Sequence, residues 1–188
     1  NLRGSPPAFK PPVGNIVEQI EKQAINTTGF PLTLSKGFSI SIFAKDLGGP
    51  RVLVWDPSGT LMASIPSRGT VVALPDINKD GVADSTITVT SELNSPHGLA
   101  FFNGKLFIAE TNQVAVFDYD PKTMKATNKR KLFDLPGGGN HITRTIGFGP
   151  DGRLYVSVGS SCNVCVEKDS RRAKILVASA DGSNLKDY

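Results

Sequence analysis

The chain carries two histidines in 188 residues, and one of them sits in the run Gly137-Gly138-Gly139-Asn140-His141-Ile142-Thr143-Arg144. Consecutive glycines reach backbone conformations closed to other residues, so this loop can bend sharply and approach a ligand closely. A histidine titrates near neutral pH, which makes His141 a candidate general base, with Asn140 placed to orient it or to bind a substrate hydroxyl. The plainer reading, a surface histidine in a loop, stays open on composition alone. A second pattern supplies cations. Arg51, His97 and Arg144 each stand four residues before an aromatic residue (Trp55, Phe101, Phe148), and the three recur at a nearly constant offset. If equal offsets mean equal positions about one axis, the three ionisable groups converge and favour an anionic ligand. The plainer reading is that they are merely exposed polar residues at strand starts.

Two more clusters have chemistry in them. Asp76, Asn78, Asp80 and Asp84 place side-chain oxygens at positions 1, 3, 5 and 9 of a loop, with Gly81 at 6 and the Val82 carbonyl at 7. That is a calcium-loop spacing. Position 12 is Ile87 rather than Glu, which excludes a complete EF-hand, and a turn without metal is the alternative. Cys162 and Cys165 form the only Cys-x-x-Cys pair. Zinc would need further ligands at matching spacing, and a redox motif would need a helix after a strand, whereas the flanking residues read as an irregular loop. A structural disulfide is favoured, and with the Asn26-Thr27-Thr28 sequon it suggests a secreted, periplasmic or extracellular protein. The chain starts at Asn1 without Met or a signal-peptide pattern, which fits a mature or trimmed product.

Composition bounds the elements that must hold these groups. There are 19 Gly and 13 Pro, a larger share than in average globular chains, and this implies many turns. No apolar run approaches the length of a membrane-crossing helix, so no span is expected. The net charge of +4 is mild and scattered, a solvated surface rather than a nucleic-acid footprint. Residues 1–35 read as an extended, proline-bearing arm with one short amphipathic helix over about 15–25. From Phe38 to Ala44 the pattern alternates as in a half-buried strand. Three segments then repeat one grammar. A polar residue leads into an apolar strand, a turn ends at Gly59, Gly104 or Gly152, and a second strand follows. Further strands fit Thr70–Leu74, Thr86–Thr90, Gln113–Asp118, Lys131–Asp134 and Lys174–Ala178. A β-sandwich would not require similar residues at a fixed offset, so the fold expected over 36–188 is all-β, about three four-stranded β-propeller blades. Propellers close with four to eight blades, so the remaining blades are expected on a longer protein or a second chain, and two apolar blade faces should be exposed.

Residues 138–165, together with Arg171-Arg172-Ala173-Lys174-Ile175-Leu176, Leu93–Phe101 and the Asp76–Asp84 loop, resemble the glucose/sorbosone dehydrogenase family, in its sorbosone and pyranose dehydrogenase branch. The resemblance implies a six-bladed propeller that binds pyrroloquinoline quinone over its central channel with calcium. It also implies oxidation of a sugar at its anomeric or aldehyde carbon, and electron transfer to a quinone, cytochrome or other acceptor. His141 matches the family's catalytic base, with Asn140 where the glucose branch carries Asp and Arg144 one position earlier than in that branch. Arg51, His97 and Arg144 become candidates for the tricarboxylate cofactor. The alternative is a non-catalytic propeller of the same ancestry, a sugar-binding or protein-interaction module.

Overall fold

The computed structural model describes residues 24–188. One compact unit ends at Phe43, and a second runs Ala44–Tyr188. In the first, β1 (Ile25–Asn26) pairs in parallel with β2 (Ser39–Ile40), through bonds from the Ile25 amide to the Phe38 carbonyl and from the Thr27 amide to the Ile40 carbonyl. Most of the expected helix over 15–25 lies outside the described residues, and its end is corrected: Ile25 is in a strand, not a helix. The strand expected over Phe38–Ala44 shrinks to β2, with Phe38 66% exposed. Its alternation has no broad sheet to bury it.

The second unit is three antiparallel four-stranded meanders. The first contains β3 (Leu53–Trp55), β4 (Leu61–Ile65), β5 (Thr70–Leu74) and β6 (Ile87–Thr90). The second contains β7 (Leu99–Phe102), β8 (Lys105–Glu110), β9 (Gln113–Asp120) and β10 (Lys125–Asp134). The third contains β11 (Ile146–Phe148), β12 (Leu154–Val158), β13 (Lys174–Ala178) and β14 (Lys186–Asp187). These are three propeller blades, as the repeat required. First strands adjoin first strands (β3 to β7, β7 to β11), and β6 adjoins β10, as blades fanned side by side must.

The turns explain the glycines. Between β7 and β8, Asn103 has φ 48° and Gly104 has φ 73°. Two successive positive values are the demand of a two-residue type I′ hairpin, which Asn-Gly meets best. The turns after β3 and β11 are built differently and alike. The Gly59 amide bonds the Asp56 carbonyl and the Gly152 amide the Gly149 carbonyl, both at 3.0 Å, with Pro57 and Pro150 just inside.

Packing follows the period-two pleat. On blade 2, Leu99, Leu106, Ile108, Ala115 and Phe117 face Met62, Val71, Ala73 and Val89 of blade 1. Its opposite face, including Ala100, Phe107, Ala109, Val114 and Val116, meets Ile146, Leu154, Val156 and Leu176 of blade 3. A sheet buried on both faces needs a continuous apolar run, which is why β8 reads Leu106-Phe107-Ile108-Ala109 without alternation. Repeat-equivalent positions show the same logic at the edge. Leu99 and Ile146 pack on the preceding blade and are buried, whereas Leu53 is 59% exposed and Trp55 63%. Ala63, Ile65, Val72 and Leu74 on that sheet are nevertheless buried, so the expectation of a fully bared first face holds only at β3. On blade 3, Ile175 and Tyr188 are exposed.

Asp56 joins blade 1 to blade 2. Its buried carboxylate accepts the Ser58 and Thr60 amides (2.9 and 2.7 Å) and the Tyr119 hydroxyl of β9 (2.7 Å). Burial alone would raise its pKa. The bonds from Tyr119, Thr60 and Ser58 together outweigh it and hold the carboxyl below its ordinary value. A depressed carboxyl pKa contributes stability above the unfolded value, near 3.9, and that stability is lost as pH falls through the folded value. Tyr119→Phe should therefore cost about 1.5–3 kcal/mol at neutral pH, the range for a hydrogen bond to a charged group. Urea unfolding of the full-length protein should show the difference shrinking below about pH 4, and the acid-unfolding midpoint should move to higher pH.

Candidate functional site

The leading residues of the three blades lie beside one another along the inner strands. The Arg51 amide bonds the Ser64 carbonyl (2.9 Å), the Ser64 hydroxyl bonds the His97 carbonyl (2.8 Å), and the Gly98 amide bonds the Arg144 carbonyl (2.8 Å). His97 Nδ1 is 3.2 Å from that same Arg144 oxygen. A carbonyl only accepts, so the proton is on Nδ1. The close approach depends on Gly98: a Cβ there would come within 2.5 Å of the Arg144 oxygen. Arg51 is exposed and near enough for its charge to act on His97. Burial pushes the His97 pKa down most, the Arg144 carbonyl bond opposes it, and the Arg51 charge lowers it further.

Arg144 itself departs from expectation. Its backbone stands where the repeat puts it, but its side chain is fully buried rather than offered to a ligand in the channel. Nη1 donates to the His141 and Thr143 carbonyls (2.8 and 2.9 Å) and Nη2 to the Pro136 carbonyl (2.7 Å). A planar fork of fixed donors suits this task, since it can meet several carbonyls of one loop at once. Burial, and then the neighbouring Arg172 charge, lower the Arg144 pKa. Arg172, which is also buried, donates from Nη2 to the Gly137 and Gly138 carbonyls (2.6 and 3.1 Å). The glycine-rich loop thus rests on two buried arginines, and Arg144 Nε and Arg172 Nη1 have no hydrogen-bond partner among the described residues.

On that platform His141 is exposed. Its Nδ1 lies 3.0 Å from the Ser160 carbonyl, so the neutral ring carries its proton on Nδ1 and presents the Nε2 lone pair. The exposed Asn140 donates its backbone N–H to the Ser161 carbonyl (2.9 Å). Glycines set the clearance here too. A Cβ on Gly159 would meet the His141 Cβ at 2.6 Å, and one on Gly139 (φ +82°) would meet Ser161 Cα at 2.8 Å. Cys162 and Cys165 are joined as a disulfide, as expected, in the loop that continues from Ser161. Glu167 closes that loop by accepting the Ser160 hydroxyl and the Ser161 amide (2.7 Å). The Ser160 hydroxyl chiefly, then the Ser161 groups and Arg172, outweigh desolvation and hold the Glu167 carboxyl below its usual range.

Sequence reasoning missed Glu167, Ser160, Ser64 and the structural part played by Arg172. The partners of Ser64 and Arg172 are distant in the chain, and no local spacing announces them. The Asp76–Asp84 loop lies apart in the sequence, between β5 and β6. Asp76 accepts the Asp80 and Gly81 amides, Asn78 the Asp80 amide, Asp80 the Val82 amide, and Asp84 the Ile77 amide. Gly81 takes the positive φ (85°) that the spacing required. No group of three or more His, Cys, Asp or Glu side chains gathers as a metal site among the described residues.

With its pKa below the unfolded value, His97 makes the protein lose stability as pH drops from about 6.5 toward the folded value, because the unfolded chain takes up the proton first. Arg51→Gln should raise the His97 pKa and flatten that part of the stability–pH curve, both readable from an NMR titration and melts of the full-length protein. The disulfide closes only a very short loop. Opening it with a dithiol should cost on the order of 2 kcal/mol by loop entropy, the low end for a disulfide because the loop is so short. Hydrogen exchange should show the Asn140 and Ser161 amides speeding up while β12 amides do not; equal protection in both redox states would show that the disulfide does not brace the loop.

A TrAA12-like family profile matches residues 32–181. Pyrroloquinoline quinone-dependent pyranose dehydrogenase of Coprinopsis cinerea is 30% identical over 162 residues, covering 81% of this chain, so the chain spans 22% of that relative's length. The holo form of the pyranose dehydrogenase PQQ domain from the same organism superposes with a TM-score of 0.70 at 26% identity, over 84% of this chain and 41% of that one. The calcium structure of the Trichoderma reesei AA12 enzyme shares the fold, with a TM-score of 0.60 at 21% identity over 73% and 36% of the two chains. A profile match across most of the chain, on blades that superpose with the pyranose dehydrogenase domain, places this protein in the TrAA12-like family of sugar dehydrogenase-like propellers.

Proposed function

We propose that this chain is the general-base-bearing part of a pyrroloquinoline quinone-dependent dehydrogenase that oxidises an aldose or related sugar. The observation that carries the reading is His141: exposed, braced from beneath by Arg144, and oriented by the Ser160 carbonyl so that Nε2 is free to accept a proton. Bound pyrroloquinoline quinone would supply the hydride acceptor. His141 takes the hydroxyl proton of the sugar at Nε2, and its Nδ1–H bond to Ser160 stabilises the imidazolium that forms. Asn140, with its backbone N–H tied to the Ser161 carbonyl, offers its side chain to a substrate hydroxyl.

The residues present suit a tricarboxylate. Arg51 and His97 stand on the same rim, and among the described residues Arg144 Nε and Arg172 Nη1 under the His141 loop have no hydrogen-bond partner, with Glu167 4.0 Å from Arg172 Nε and Asp169, itself paired with Arg171, near enough for its charge to act on Arg172. Net positive charge in a partly dry site favours a polyanion. Arg51 and His97 are the cofactor-facing candidates, and Arg144 acts from below through the loop. For calcium, the proposed holder is the Asp76, Asn78, Asp80, Val82 and Asp84 loop, in a structural role. Oxygens that accept one amide keep a lone pair for a cation, and the Val82 carbonyl and water would complete the shell. The rest of the cofactor site is assigned to further blades of a longer protein or of a second chain, and the electrons to a quinone, cytochrome or other acceptor. The disulfide supports an oxidising, secreted or periplasmic setting. Among the described residues no helix is long and apolar enough to cross a membrane.

The experiment is reconstitution of the full-length protein with calcium and pyrroloquinoline quinone, followed by dye reduction with a panel of aldoses. Turnover is expected, and His141→Ala should lower kcat by at least about 100-fold, the contribution of a positioned acid–base group, with cofactor absorbance still shifting on binding. Cofactor uptake without turnover on any sugar, or a His141→Ala variant at near-normal rate, would overturn the assignment.

A further inference from the structure

Glu167 takes no part in the proposed reaction, yet its carboxylate sits where the two loops around His141 meet. Its side chain is 14% exposed. Oε1 accepts the Ser161 amide and the Ser160 hydroxyl, and these are the residues whose carbonyls hold His141 and Asn140. Oε2 is buried with no hydrogen-bond partner among the described residues and stands 4.0 Å from Arg172 Nε, while Arg172 Nη2 grips the Gly137 and Gly138 carbonyls at the start of the His141 loop. One carboxylate therefore links both sides of the ring. On one side it fixes the strand of chain carrying the Ser160 carbonyl, and on the other it anchors the arginine beneath the glycines.

We propose that Glu167 is a positioning residue for His141: with Arg172 it locks the 137–141 and 159–161 segments together, so that the imidazole keeps its proton on Nδ1 and its lone pair on Nε2. The physical need is specific. His141 lies in a glycine-rich loop with little side-chain packing of its own, and an exposed imidazole exchanges tautomers and rotates unless an acceptor is held still beside Nδ1. The Ser160 carbonyl is that acceptor; the Ser160 hydroxyl lies between Glu167 Oε1 and the Cys162 carbonyl (2.6 Å), and Glu167 ties this turn to the Ser161 amide and to Arg172. A buried carboxylate facing a buried guanidinium is costly to strip of its partner, so removing Glu167 also loosens the Arg172 grip on the loop.

The catalytic consequence rests on the dehydrogenase reading, but the positioning does not, and the test separates them. Full-length protein labelled with 15N-histidine is compared as wild type, Glu167→Gln, Glu167→Asp and Glu167→Ala, with the His141 signals assigned from His141→Asn. Wild type should show the Nδ1–H tautomer of neutral His141. Glu167→Ala should give a mixture with Nε2–H, and Glu167→Gln, which keeps an oxygen for the Ser161 amide, should keep more of the native tautomer. In the reconstituted enzyme, kcat should fall roughly 10–100-fold in Glu167→Ala, the usual cost of removing the partner that orients a functional histidine. The sugar KM should change little, and kcat should recover in part in Glu167→Gln. If Glu167→Ala does not fold, Glu167→Gln and Glu167→Asp decide alone. An unchanged His141 tautomer in folded Glu167→Ala, or in folded Glu167→Asp where Glu167→Ala does not fold, overturns the proposal whatever the activity. A shifted tautomer in a protein with no dehydrogenase turnover sustains the positioning and removes the reaction.

Discussion

The guanidinium of Arg144 is the interaction on which the site depends. A loop that opens with three glycines has almost no side-chain packing to hold it, and its carbonyls turn inward rather than pairing in a ladder. Arg144 answers three of them at once, from Pro136, Thr143 and His141. The charge is desolvated and close to Arg172, which makes it costly to bury. That cost is tolerable because the backbone of Arg144 is welded into the blade stack: its carbonyl receives both the Gly98 amide and the His97 ring. The same residue therefore joins blade 2, blade 3 and the His141 loop.

The propeller architecture supplies what that interaction needs. Blade 2 is buried on both faces, so its inner strand cannot shift without disturbing two apolar layers at close packing. Glycines at 98, 139 and 159 let backbone meet backbone at distances no Cβ would allow. Rigidity in the sheets and clearance at the rim thus come from opposite kinds of residue, large aliphatic side chains in the strands and none at all at the loop contacts. On the other side of His141 the chain after β12 carries the Cys162–Cys165 disulfide, and Glu167 accepts the Ser160 hydroxyl and the Ser161 amide.

The positive charge around the rim has two layers. Arg51 is exposed and His97 half-buried at the surface, while Arg144 and Arg172 lie beneath and shape the loop.

Much of the architecture was legible from residue order. Periodicity of two, the turn glycines and a nearly constant offset determine the blades, because a repeated unit that must bury the same face on its neighbour repeats the same residues. Thr70–Leu74 and Lys174–Ala178 were read to the residue. The fourth strand of blade 3, Lys186–Asp187, was not, since two polar residues carry no pattern. The offset also located Arg144 correctly and misjudged its side chain. Spacing determines where a Cα stands on a blade, whereas the direction of a long arginine is decided by which carbonyls lie unpaired nearby. Those carbonyls come from a loop whose path exists only once the blades are stacked. For the same reason the sequence by itself determined the fold, the cysteine pair and the candidate base, and only tertiary structure could bring Glu167, well downstream of His141, onto the Ser160–Ser161 segment against which the imidazole rests.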